Sequence, residues 1–180
     1  MAREKEVYEL MQQLVIVNDI IVGEVMAAKG YWAAGQSARV QAAKALKNLS
    51  EEGRLERRDG FYRVPGCKSE WGEHAQFLTK ILAEILKKHT AEIFRETMVY
   101  DVGLRADAIC MITKDNLGMV LVIEAMNHES TESIKNKETI WNTWPEATGY
   151  LSKLFGYRIP HFEFLAIGDG EWEKLSRLLS

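Results

Sequence analysis

Two cysteines, Cys67 and Cys110, are all that the chain of 180 residues carries. They are too few for a disulfide framework, and neither belongs to a Cys-x-x-Cys pair, which also argues against a zinc knuckle. An excess of one charge is missing as well: 23 Lys and Arg stand against 26 Asp and Glu, a formal net charge of −3. The molecule as a whole is no polycation, and bulk charge gives no support for nucleic-acid binding. No stretch approaches the ~18–20 apolar residues that a membrane helix needs. Residues 1–10 mix charges without the apolar centre of a signal peptide. Low-complexity tracts and internal repeats are absent. These absences predict a cytoplasmic protein with no membrane partner, and a hydrophobic fraction of 47% is ordinary for a globular fold.

One seam is visible, Pro65-Gly66-Cys67-Lys68-Ser69, a polar turn stretch between two periodic regions. Dividing there gives residues 1–66 and 67–180. The first part holds ten Lys/Arg against nine Asp/Glu, and the second thirteen against seventeen. The sign of this slight asymmetry favours the first part for any nucleic-acid contact.

Residues 1–66 read as three helices and a hairpin. Val7, Leu10, Met11, Leu14 and Val15 recur at helical spacing. Asp19 is placed to cap a second helix containing Ile21, Val25 and Met26 and ending at Gly30. Ser37 is placed to cap a third, with Val40, Ala43, Leu46 and Leu49 as its buried stripe. After Gly53 the period changes to two, and Asp59-Gly60 separates two short runs. That dipeptide signals a type I′ hairpin, whose central residues both need positive φ. Three helices followed by a β-hairpin is the order of a winged helix.

Residues 67–180 read as α-β-β-β-α-β-α. An amphipathic helix covers about His74 to Lys88, strands follow near Ile93–Val99 and Ala106–Ile112, and Asp115–Gly118 turns into Met119–Ile123. The continuous apolar run Val120–Ile123 predicts a central strand covered on both faces. A long helical stretch from Thr131 to Phe155 is broken at Pro145. Phe162–Ile167 gives the last strand and Glu171–Leu179 a closing helix. The fold class is thus α/β (α+β).

Two constellations carry chemistry. The third helix leaves Arg39, Gln41, Lys44, Lys47 and Asn48 off its apolar stripe, residue types that reach bases and phosphates in a major groove. The hairpin adds Arg57, Arg58 and Arg63, suited to phosphate contact. A solvated helix face and an ordinary hairpin would look the same. The second constellation is Asp107 near the start of one strand and Glu124 at the end of its hairpin partner, seventeen positions on. Pairing through the Asp115–Gly118 turn brings both carboxylates to one end of the sheet. Two converging carboxylates supply the hard oxygen ligands of a Mg²⁺ site for phosphodiester hydrolysis. The plainer alternative is structural: Glu124 bonds Arg105 or caps the next helix, or Arg105 pairs with Asp107 on its own strand face. Asn127, His128 and Glu129 are further possible metal ligands or simply a polar turn.

The order αβββαβ, with Arg105-Ala106-Asp107, a hairpin and a hydrophobic strand ending in Glu124, resembles the PD-(D/E)XK nuclease-like superfamily over residues 74–168. With the preceding winged helix, the layout resembles the replication-relaxation family of plasmid and mobile-element proteins. Ile123-Glu124-Ala125, then Glu132-Ser133-Ile134 and Lys137 before Trp141, is similar to that family's pattern. The resemblance implies an N-terminal winged helix followed by a restriction-endonuclease-like core, DNA as partner, and Asp107, Glu124 and a lysine as the catalytic set. The superfamily's lysine stands two residues after the acid, where this chain has Met126. Methionine cannot orient water or stabilise charge on phosphate. Lys135 or Lys137 on the following helix are substitutes, and Glu84, Glu92 or Glu96 are candidates for the additional acids of active members.

The aromatic residues Trp141, Trp144, Tyr150, Phe155 and Tyr157 sit among apolar neighbours and read as packing rather than base stacking. Trp71 is a candidate for packing between the two parts. Three readings follow: a DNA-binding protein with a degenerate nuclease-like domain, an active Mg²⁺-dependent endonuclease, or an interaction module that binds protein, as a homodimer or with another chain.

Overall fold

Apolar spacing, turn chemistry and one proline account for most of the architecture. The structure, a computed structural model, describes residues 3–66, 71–114, 117–126, 130–168 and 170–180. It is a mixed α+β fold with seven α-helices and two sheets among the described residues.

The first helices are α1 (Glu4–Gln13), α2 (Asp19–Ala28) and α3 (Gln36–Glu51). Val7, Leu10, Met11, Leu14 and Val15 are all buried, as their spacing predicts. The caps differ from expectation by a residue or two. Asn18, not Asp19, caps α2, its Oδ1 accepting the Ile21 N–H at 3.0 Å. Gly35, with φ +83°, stands at the N-cap of α3 in place of Ser37. The buried face of α3 is also rotated from the predicted one: Ala38, Ala42, Ala45, Leu46 and Leu49 are buried, whereas Val40 is 58% exposed and Ala43 is exposed. Alanines rather than the valine face inward because α2 and α3 lie too close for larger side chains. A Cβ built on Gly23 of α2 would stand 3.1 Å from backbone atoms of Ala38 and Arg39.

The hairpin pairs β1 (Glu56–Arg58) with β2 (Phe61–Arg63). Asp59 and Gly60 have φ of +49° and +82°, the two positive values a type I′ turn requires. A single bridge joins Val17 to Tyr62 through hydrogen bonds of 2.9 and 2.7 Å, so the segment between α1 and α2 extends this sheet.

The chain divides by its contacts into residues 1–88 and 89–180. By this grouping α4 (Glu73–Lys88) falls with the first three helices. It packs along α2, and the buried Thr79 hydroxyl accepts the Ile16 N–H at 3.1 Å. A polar turn marks a change of direction; it does not say which side the next helix packs on.

The second unit is built on a four-stranded sheet ordered β3-β4-β5-β6, where β3 is Thr90–Val99, β4 Leu104–Lys114, β5 Leu117–Met126 and β6 Phe162–Gly168. The first three strands are antiparallel and β6 runs parallel to β5. A parallel neighbour needs a crossover, and α5 (Thr131–Thr143) and α6 (Ala147–Phe155) supply it, separated at Trp144, Pro145 and Glu146 as Pro145 predicts. Val120–Ile123 are fully buried at the centre. On one face Val120, Val122 and Ile109 pack with Trp141, Leu151 and Phe155. Trp141 meets Trp144, Tyr150 and Phe162 edge-on at centroid distances of 5.7, 6.5 and 5.7 Å. These aromatics are core, and Tyr157 alone of the five stands well exposed. A final helix, α7 (Trp172–Leu178), follows β6.

Two glycines in helices test this packing with opposite signs. Gly149 in α6 is exposed with nothing within 4 Å of a built Cβ. Gly149→Ala is expected to stabilise by ~0.5–1 kcal/mol through helix propensity. Gly23→Ala, pressed against α3 backbone, is expected to destabilise by ~1–3 kcal/mol despite the same propensity gain. Urea denaturation of both variants measures this, and equal shifts would contradict the close α2–α3 approach.

Candidate functional site

The hairpin register of β4 and β5 assembles the acidic site. Ala108 pairs with Ile123, so one step further brings Asp107 opposite Glu124, where facing side chains have Cβ atoms ~4.5–5.5 Å apart. Asp107 Oδ2 accepts the Ala125 N–H at 2.8 Å, which fixes that carboxylate on the neighbouring strand. Glu124 shares its sheet face with Val120 and Val122, because side chains two apart point the same way. It is only 1% exposed. The lysine comes from α5: Lys137 Nζ donates to Glu124 Oε2 at 2.8 Å, with 17% of the Lys137 side chain exposed.

The structure thus brings Asp107, Glu124 and Lys137 to one place and sets the other candidates elsewhere. Lys135 is exposed on α5. Glu84 pairs with Lys87 in the first unit. Glu92 lies opposite Met111, away from Asp107. Glu96 is the first-strand acid beside Asp107, since the ladder runs from Arg95↔Ala108 to Thr97↔Ala106 across it. Its φ of +48° is an unusual conformation for a non-glycine residue inside a strand. Arg105 pairs with Glu96 at 3.0 Å, and Ser130 caps α5 by accepting the Ser133 N–H. The structural roles suggested for Glu124 with Arg105, or as the helix cap, are therefore filled by other residues.

Asn127, His128 and Glu129 lie outside the described residues, as do Cys67, Asp115 and Asn116. Among the described residues no group of three His, Cys, Asp or Glu is placed to hold a metal ion. Of the two carboxylates, Glu124 Oε2 is taken by Lys137 and Asp107 Oδ2 by the Ala125 N–H. Cys110 is buried on the same strand as Asp107, and burial pushes its thiol up to about 12, so it is no nucleophile at neutral pH.

The second candidate surface is α3 with the hairpin. Arg39, Gln41, Lys44 and Lys47 are all exposed. Arg39 Nε is held by Asp19 Oδ2 at 2.6 Å, and Lys47 lies 3.6 Å from Glu51. Asn48 turns inward, donating to Glu4 at 2.7 Å. From Gln36 to Ser50 the helix contains no Asp or Glu, in a chain with 26 of them. On the hairpin, Arg57 and Arg58 are exposed, whereas Arg63 is bonded to Glu56 at 2.7 Å with its guanidinium 4.5 Å from the Trp71 ring centre. Trp71 thus packs under Arg63 within the first unit.

No family model matches the chain, and neither does any curated protein. One solved structure matches, the crystal structure of protein VC1899 from Vibrio cholerae, with 10% identity and a TM-score of 0.25. The match covers 98% of this chain and half the length of that one. A TM-score this low bears on neither fold nor function. Among the described residues no helix is long and apolar enough to cross a membrane.

Removing the cation that faces a buried carboxylate is costly. Lys137→Met is expected to lower stability by ~3 kcal/mol, and adding Glu124→Gln to recover most of that loss. A double-mutant cycle in urea with additive losses would show that the two side chains are not coupled.

Proposed function

We propose that this chain is a DNA-binding protein whose first unit, a winged helix, contacts duplex DNA through α3 and the hairpin. The observation that carries this reading is the exposed cluster of Arg39, Gln41, Lys44 and Lys47 on α3, whose one acid, Glu51, stands at the C-terminal end of the helix beside Lys47. An α-helix fits the major groove, where such side chains meet base edges and phosphates. Arg57 and Arg58 on the hairpin suit contacts to the flanking backbone. The sheet unit is read as a nuclease-like domain that has lost its lysine at Met126. The resemblance to the replication-relaxation family makes the role one in replication, mobilisation or regulation of a mobile element.

A second reading, an active endonuclease, is favoured by one observation: Lys137 reaches Glu124 from α5, beside Asp107. Lys137 then stands in for the lysine missing at position 126. Mg²⁺, held by Asp107 and Glu124, would supply Lewis-acid polarisation of the phosphate and a more acidic bound water. In this reading the chain's own residues position the ion and place a lysine cation beside it.

Duplex binding followed by fluorescence anisotropy across salt concentrations tests the first reading. Lys44→Ala and Lys47→Ala are each expected to weaken binding to all sequences alike and to reduce the log–log salt slope by ~1. Asp107→Ala with Glu124→Ala should leave binding in place. Salt-independent binding, or binding lost with the carboxylates but kept in Arg57→Ala/Arg58→Ala, would sink it. Plasmid incubated with Mg²⁺ or Mn²⁺ decides the second: nicking abolished by Asp107→Ala and by Lys137→Ala establishes cleavage, and intact plasmid rejects it.

A further inference from the structure

We infer that Lys137 is a built-in counter-ion that holds the acidic site closed to divalent metal ions, its ammonium standing where such an ion would have to bind. The inference rests on the reading of the sheet unit as a nuclease-like domain that does not cleave, and it is independent of DNA binding by the first unit. Three acids lie in one row across three neighbouring strands: Glu96 on β3, Asp107 on β4 and Glu124 on β5. Like charges side by side on a sheet repel, so such a row needs either an ion from solvent or donors from the chain. Here the chain supplies a donor to each. Arg105 pairs with Glu96 at 3.0 Å, the Ala125 N–H donates to Asp107 at 2.8 Å, and Lys137 donates to Glu124 at 2.8 Å.

The three contacts differ in how firmly they close the row. Arg105 is largely exposed, so water screens its pair with Glu96. The pair on Glu124 is shielded, with the carboxylate buried and the Lys137 side chain nearly so. An ion such as Mg²⁺ or Mn²⁺ keeps several waters and needs room for them beside its carboxylates. The Lys137 stem fills that room, and its ammonium cancels the charge that would attract the ion. The same ammonium repels a divalent ion approaching Asp107, in a setting where water screens little. Nor is Lys137 loosely placed. Trp141, one turn further along α5, is buried in the core against Val120 and Val122 and holds the helix in register. Met126, at the end of β5, offers an ion of this kind only a soft thioether in exchange.

Mn²⁺ titrations of the full chain by calorimetry test this, each paired with the same titration after Asp107→Asn. The pairing separates ions held at this site from those on other carboxylates. The unaltered chain is expected to show no Asp107-dependent Mn²⁺ binding. Lys137→Ala, which removes both charge and stem, is expected to acquire it, with affinity raised about tenfold or more and a melting temperature that climbs with Mn²⁺. Adding Glu124→Gln should abolish the gain. Lys137→Gln, uncharged yet still able to donate to Glu124, is expected to shift in the same direction, and it keeps the test decisive if the alanine variant does not fold. Asp107-dependent binding by the unaltered chain overturns the inference, and so does the lack of any gain in a folded Lys137 variant. Metal-dependent plasmid nicking by the unaltered chain overturns the reading beneath as well; without nicking, the inference alone falls.

Discussion

A carboxylate at the end of an apolar central strand must meet a cation, and Glu124 meets Lys137 at 2.8 Å. Burying the charge of Glu124, 1% exposed, would otherwise carry a penalty that no nearby apolar packing offsets. The ion pair also sets the register of α5 against the sheet. Trp141 follows Lys137 by one helical turn and therefore shares its face, so the same helix surface that neutralises Glu124 delivers the largest buried side chain to the core. Slide α5 by one residue and both contacts are lost together. The site and the hydrophobic core of this unit are in that sense one packing problem.

The sequence discloses features whose physics is local. Asp59-Gly60 has to be a tight hairpin because its φ values follow from residue type. Pro145 interrupts a helix wherever it falls in one. The meeting of Asp107 with Glu124 is countable through the β4–β5 turn, and the register agrees. Features decided by a neighbouring element are not legible in this way. The buried face of α3 is chosen by the close approach of α2 at Gly23, and it favours alanines over Val40. The cap of α2 falls to Asn18, the extended residue before the helix, while Asp19 inside it bonds Arg39, a partner twenty residues distant. The choice between Lys135 and Lys137 depends on which side of α5 faces the sheet. The signal available in the sequence was the four-residue interval from Lys137 to Trp141.

Basic and acidic work fall to different units. The first holds the exposed Gln41 and Lys44 of α3 and two exposed hairpin arginines, with much of its remaining charge spent internally, as in Arg39 with Asp19, Lys47 with Glu51, Arg63 with Glu56 and Lys87 with Glu24. The second holds two neighbouring carboxylates and a lysine in a largely apolar setting. Net charge near zero hides both, since a patch acts over a Debye length and not over the whole surface. Composition is a poor guide to a molecule whose charges are sorted by position.

The chain connectivity around the acidic site has a consequence for the order in which it forms. Asp107 and Glu124 lie on two strands that follow one another along the chain, with Lys114 paired to Leu117, a closure of the kind completed in microseconds. Lys137 arrives on the crossover that carries the chain from β5 to its parallel neighbour β6, and such long-range pairings close late because the loop entropy must be met first. During folding the paired carboxylates therefore precede their cation. For that interval Glu124 remains hydrated at the open end of the hairpin, and dehydrating it becomes part of the final step, when α5 seats with Lys137 and Trp141 at once.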